Sequence, residues 1–133
     1  MSQENVEIMR RGFDHFAATG DFRAETMHPD FVWNMSTFRG WPEQQTYSGM
    51  QGARQFLADW TEPWEDWEFE VEALRDAGDK VVAITRQRGR SKTTGVVVDM
   101  EFAQVWTLRQ GKQVRMDMYS SRAEALEAVG LRE

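Results

Sequence analysis

The side chains able to do chemistry in this 133-residue chain are few, and most fall on stretches that read as strands. In His-Pro-Asp-Phe-Val-Trp-Asn-Met, residues 28–35, a turn signal precedes a short apolar run that carries one amide, Asn34. Strand alternation puts Asn34 on the face of Val32. An amide there either holds a ligand's carbonyl or a fixed water, or is bonded to backbone in an ordinary core. Arg86 continues the apolar face of Val82 and Ile84. Such an arginine calls for an acidic partner or an anionic ligand, because an unpaired buried charge is costly. Asp99 and Glu101 are expected on the opposite face. Gln104, in phase with Met100 and Phe102, is expected to share a pocket with Arg86. Arg88 reads as a solvated residue at a sheet edge. Asp117 is the only carboxylate of the last strand and so the one proton carrier there. It alternates with Val114, Met116 and Met118, which turns it away from an apolar cavity unless a bulge reverses the register.

The other polar groups offer less. His15 lies one position off the apolar stripe of the first helix, and His28, before Pro29, is suited to bonding local backbone. Neither has acidic neighbours at a metal-ligand spacing, so no metal or cofactor is expected. The chain has no cysteine, hence no thiol nucleophile and no disulfide. Tyr47 either reaches over a cavity mouth or sits on an exposed loop. A net charge of -6 argues against nucleic acid or an anionic membrane as partner. No apolar signal core opens the chain and no stretch is long enough to span a bilayer, which makes the cytoplasm the expected location. Six tryptophans and eight phenylalanines supply large apolar areas. Trp60, Trp64 and Trp67 read as packing between a helix and the sheet. Trp33, Trp41 and Trp106 read as core or dimer surface.

These residues need elements to hold them. Ser2, Glu4 and Asn5 give an imperfect capping signal. Val6, Met9, Phe13 and Phe16 then recur at helical spacing, until Ala-Thr-Gly-Asp (18–21) stops the helix. Phe22 to Met27 suits a short second helix, broken by His28-Pro29. Phe31 to Met35 suits a strand, and residues 36–48 a loop. Gly49 to Trp64 suits a helix with Ala53, Phe56, Leu57 and Trp60 on one face, ended by Pro63. Beyond Trp67 the period becomes that of strands, at 67–74, 80–88, 96–108 and 113–119. Residues 122–131 close with a helix. Helices first and a strand meander last imply one α+β domain over 1–133. Its strongly curved antiparallel or mixed sheet would wrap the N-terminal helices as a cone-shaped roll or α+β barrel with an apolar cavity.

In Arg-Arg-Gly-Phe-Asp-His-Phe-Ala-Ala-Thr-Gly-Asp (10–21), residues 28–35, 47–60, 105–114 and 124–131, the chain resembles the nuclear transport factor 2-like superfamily, and within it the SnoaL-like proteins. The resemblance implies the cone fold and a choice among isomerase, cyclase, epoxide hydrolase and plain binding roles. The ketosteroid isomerase pattern would put a tyrosine at Phe13, a basic aspartate at Asn34 and a second aspartate near Ala103 or Gln104, so its acid–base groups are not matched. Limonene epoxide hydrolase is similar at Asn34-Met35 and Arg86, but its carboxylates fall on Arg88 and Met118. The SnoaL-type acid–base aspartate would have to be Asp117.

The function expected is binding of a small apolar molecule, with or without isomerase or cyclase chemistry. Phe13, Phe16, Phe56, Trp60, Met100, Phe102, Val114, Met116 and Met118 would form the wall, and Asn34, Arg86 and Gln104 the polar contacts. Apolar residues on both faces of the meander, Val97, Ala103 and Val105 beside Val98 and Phe102, add the expectation of a homodimer.

Overall fold

The computed structural model describes residues 2–132, with only the backbone of Ser2, so the capping role read for that side chain lies outside the described residues. Helix α1 (Ser2–Thr19) buries Val6 and Met9 and leaves Phe13 and Phe16 half-buried. No second helix follows. Ala24–Thr26 makes only a 3-10 turn, and strand β1 (Met27–Asn34) begins at once. Pro29 is tolerated inside β1 because the pairing with β6 is irregular between Met27 and Val32, where a missing N–H costs little. The loop ends in a short strand, β2 (Thr46–Ser48). Helix α2 (Gly49–Thr61) stops ahead of Pro63. Strands β3 (Trp64–Ala77), β4 (Lys80–Ser91), β5 (Val97–Arg109) and β6 (Lys112–Tyr119) form the meander, and α3 (Arg122–Ala128) follows. At the β5–β6 turn Gln110 and Gly111 both take positive φ, 50° and 77°, the twist a tight hairpin requires.

The sheet has six strands in the order β2-β1-β6-β5-β4-β3, antiparallel except where β1 lies parallel to β6. It is mixed and open: β2 and β3 are edges, so the barrel does not close. The inner face carries Phe31 and Trp33 of β1, with Met35 just beyond its end, Val81 and Ala83 of β4, Phe102, Trp106 and Leu108 of β5, and Met116 and Met118 of β6, all in one buried core with α1 and α2. The outer face is different. There α3 packs Ala125 and Leu126 onto Val82, Ile84, Ala103 and Val105. The sheet is thus apolar on both faces where a helix covers each, and Ala103 and Val105, read from the sequence as a surface for a second chain, are covered within this one. Val96 and Val97 remain exposed. Ser121 caps α3: its hydroxyl accepts the Glu124 N–H and donates to the Glu124 carboxylate.

Two irregularities change which side chains face inward. In β3 the register shifts between Val71 and Ala73, so Leu74, in phase with the glutamates on strict alternation, packs against the main core. In β6, Arg115 pairs with Thr107 and Gln113 with Leu108, which leaves Val114 as the extra residue of a bulge. Gln113 is therefore buried, while Val114 moves to the outer side beside Val32 and Thr107 and leaves the cavity wall.

Candidate functional site

A cavity of about 50 Å³ lies between α1, α2 and the inner face of the sheet. That volume holds about three to five water molecules. Seven of the wall residues expected from periodicity border it: Phe13 and Phe16 of α1, Phe56 and Trp60 of α2, and Phe102, Gln104 and Met118 of the sheet. Met116 is fully buried and Met100 partly so in the surrounding core, behind the wall rather than on it. The walls gain residues that periodicity did not single out as cavity-lining: Trp33, Trp106, Trp67 and Phe69, together with Phe22 and Arg23 from the α1–β1 connection. Phe13 meets Trp106 edge-on at 6.2 Å and Trp33 stacks on Phe56 at 4.5 Å, ring geometries that hold the wall rigid. Strand alternation already put Trp106 on the face of Phe102 and Gln104, whereas Trp33 alternates with Asn34, the residue expected to face the pocket. Nothing local marked Phe22 and Arg23.

Of the polar candidates, Asn34, Arg86 and Asp117 do not reach the cavity. Asn34 faces outward with Val32, whereas Phe31, Trp33 and Met35 point inward. It is a satisfied buried amide: its Nδ2 donates to Asp117 at 2.8 Å and its Oδ1 accepts the Ser36 N–H at 3.1 Å. Asp117 pairs with Asn34 across β1 and β6 and faces outward, as Met116–Met118 alternation requires, with Arg115 3.0 Å away. Arg86 is on the outer face in phase with Val82 and Ile84, and that face is outside the cone. Asp99 and Glu101 are not opposite it but beside it: Arg86 pairs in register with Glu101, and its Nε lies 2.7 Å from Asp99. Glu72 is 3.3 Å away. Arg88 is 3.8 Å from Asp99 on the same ladder. In-phase reading grouped Arg86 correctly with Val82 and Ile84 but put Asp99 and Glu101 on the wrong face, and the buried apolar face it followed belongs to α3, not to the cavity. Arg86 and Gln104 therefore lie on opposite faces of the sheet.

Tyr47 neither overhangs the mouth nor lies exposed. It is buried in β2, donating to Asp59 at 3.0 Å, and burial followed by that carboxylate pushes its phenol up to about 12. The His28 Nδ1 accepts the Asp30 N–H at 2.9 Å, a local turn contact. Among the described residues, no cluster of histidine, aspartate and glutamate could hold a metal ion.

The polar lining consists of donors. Gln104 is 5% exposed and its Oε1 accepts the Trp106 indole N–H at 2.9 Å. An indole N–H only donates, so this contact fixes which end of the amide is oxygen and leaves the Gln104 NH₂ available to the cavity. Gln113, 4% exposed, accepts the Thr26 hydroxyl through its Oε1 at 2.7 Å. Arg23 is the one charged residue of the lining. The connection that bears it is pinned by Asp21, whose carboxylate accepts the Phe22 N–H at 2.8 Å and two Arg54 bonds at 3.0 and 2.9 Å. The Arg54 contact keeps the Asp21 carboxyl below its ordinary 3.8. Among the described residues, no carboxylate, imidazole, phenol or hydroxyl borders the cavity.

The geometry has close counterparts among solved structures. TerC, co-crystallised with polyporic acid, superposes with a TM-score of 0.70 at 23% identity over 95% of this chain and 98% of its own. A Jannaschia sp. CCS1 protein described as a SnoaL-like polyketide cyclase gives 0.70 at 24% over 98% and 94%. An NTF2-like protein from Burkholderia thailandensis E264 gives 0.67 at 25% over 93% and 95%. No curated protein matches the sequence. These likenesses establish the nuclear transport factor 2-like fold. The SnoaL-like domain model matches residues 9–116, from the middle of α1 to the inward-facing Met116 of β6, and by that match the chain belongs to the SnoaL-like domain family.

Proposed function

We propose that the chain binds a small, largely apolar, ring-bearing molecule in the cone, and that any isomerase- or cyclase-type work it does consists of orienting the ligand and polarising a carbonyl. The observation that carries this reading is the composition of the wall: aromatic rings and donors, with no group able to take a proton. The Gln104 NH₂, aimed by the Trp106 indole, suits a carbonyl oxygen, and a fixed neutral donor stabilises negative charge developing there. A carboxylate mechanism of the SnoaL type has only Asp117 to draw on, and Asp117 faces the other side of the sheet. TerC, of the same fold, was co-crystallised with polyporic acid.

The test is retention of a small molecule by protein purified from its native host, read by native mass spectrometry. Gln104→Leu should weaken retention about tenfold or more, the worth of one unmatched buried donor. Asp117→Asn should leave it unchanged. A melting curve of Gln104→Leu checks that the unpaired Trp106 indole has not loosened the core. Retention lost in Asp117→Asn and kept in Gln104→Leu would refute the reading.

A further inference from the structure

Arg23 and Gly12 both border the cavity, and neither is explained by the protein's own packing. The Arg23 side chain is only 20% exposed, yet its guanidinium makes no hydrogen bond within the described chain. Its one ionic contact is Nε to Glu25 at 3.5 Å, and that carboxylate is itself 76% exposed. Its unbonded nitrogens keep contact with water, a position from which a planar guanidinium can meet an incoming anion. The Gln104 and Gln113 oxygens accept from Trp106 and Thr26, and neither is bonded to Arg23. Gly12 lies mid-way along α1, where glycine weakens a helix. Its backbone is not in the left-handed region, and a Cβ built there meets nothing within 4 Å. Neither conformation nor crowding by a neighbour calls for glycine, and the empty space beside it is the cavity.

We propose, resting on the ligand-binding reading above, that the ligand is a planar aromatic anion: its ring occupies the space that Gly12 leaves open and its carboxylate or enolate meets Arg23. At about 50 Å³ the space is smaller than the ~150 Å³ cavity that takes up benzene, so the half-buried Phe13 and Phe16 give way as the ring enters. Arg23 retains some exposure, which places the charged end at the rim and the ring beneath it among Phe16, Trp106 and Phe102. With donors and no carboxylate on the wall, a cationic ligand finds only ring faces and meets the repulsion of Arg23.

Three probes of one shape separate the possibilities: benzoate, toluene and benzylammonium, titrated by nuclear magnetic resonance of the indole N–H signals. Benzoate should bind about tenfold or more tighter than toluene, and benzylammonium more weakly than toluene. Arg23→Met should remove the preference for benzoate and leave toluene binding as it was. Gly12→Leu should weaken all binding at least about tenfold while raising the melting temperature by about 2–4 °C, since the helix gains a better former. Toluene bound with no preference for benzoate, or a preference unchanged in Arg23→Met, would overturn the anion proposal and leave the cavity reading standing. Toluene affinity unchanged in Gly12→Leu would remove Gly12 from the site. Absence of shifts with all three probes would overturn the cavity reading and this proposal together.

Discussion

Replacing Asn34 by leucine tests most directly whether the amide belongs to the fold or to a site. The side chains are similar in size, so the change removes two hydrogen bonds without opening a cavity. The bond to the Ser36 N–H counts for little, because Ser36 is exposed and water can replace it. The bond from Nδ2 to Asp117 counts for more. The Asp117 side chain is 17% exposed and keeps Arg115 at 3.0 Å, but it loses its donor on the buried side. A hydrogen bond to a charged group contributes about 1.5–3 kcal/mol, and the added apolar burial of leucine offsets part of this. The net loss is about 1–2 kcal/mol. At about 3–5 °C per kcal/mol for a domain of this size, the melting temperature should fall by about 3–10 °C. Binding of benzoate or toluene should not change. A double-mutant cycle with Asp117→Leu should give a coupling of about 1 kcal/mol, since each single change removes the same contact. Unchanged stability with weakened probe binding would refute the outward placement of Asn34. Strict additivity in the cycle would refute its pairing with Asp117.

Gly52→Ala should have the opposite sign from a substitution at Gly12. Its Cβ would lie 2.8 Å from the Tyr47 carbonyl carbon, a backbone atom that cannot swing aside, so we expect a loss of about 1–3 kcal/mol by chemical denaturation despite alanine's helix preference; an unchanged midpoint would contradict the close α2–β2 approach. Tyr47→Phe should cost about 1 kcal/mol at neutral pH. Because the folded chain holds the phenolic proton more tightly than the unfolded one, Tyr47 contributes stability that is full below its ordinary 10.0 and is lost as pH rises toward about 12. The wild type should therefore lose stability more steeply than Tyr47→Phe across that window, and a near-ultraviolet titration showing Tyr47 ionising at 10 would contradict the burial.

The apolar periodicities alone determined most of the architecture. The stripe Val6, Met9, Phe13, Phe16 specified α1 and its inward face, and alternation in 80–88, 96–108 and 113–119 specified the strands. Those patterns record burial, and burial is what both helices and strands need to be stable in water. The same alternation correctly put Gln104 and Met118 on one face and Asp117 on the other. What periodicity cannot say is which of two buried faces is the cavity. Val82 and Ile84 are as apolar as Val81 and Ala83, and only the packing of α3 over the first pair shows that Arg86 belongs outside with Asp99. Asn34 was ambiguous for the same reason, its fate decided by the parallel pairing of β1 with β6, a contact between distant segments. The bulge at Val114 brought Gln113 inward, and the 3-10 turn put Arg23 at the rim. Both are single-residue events with no periodic signature, set by how the chain closes around its core. The sequence therefore determined that an aromatic cone would form, and the tertiary structure alone decided which polar groups look into it.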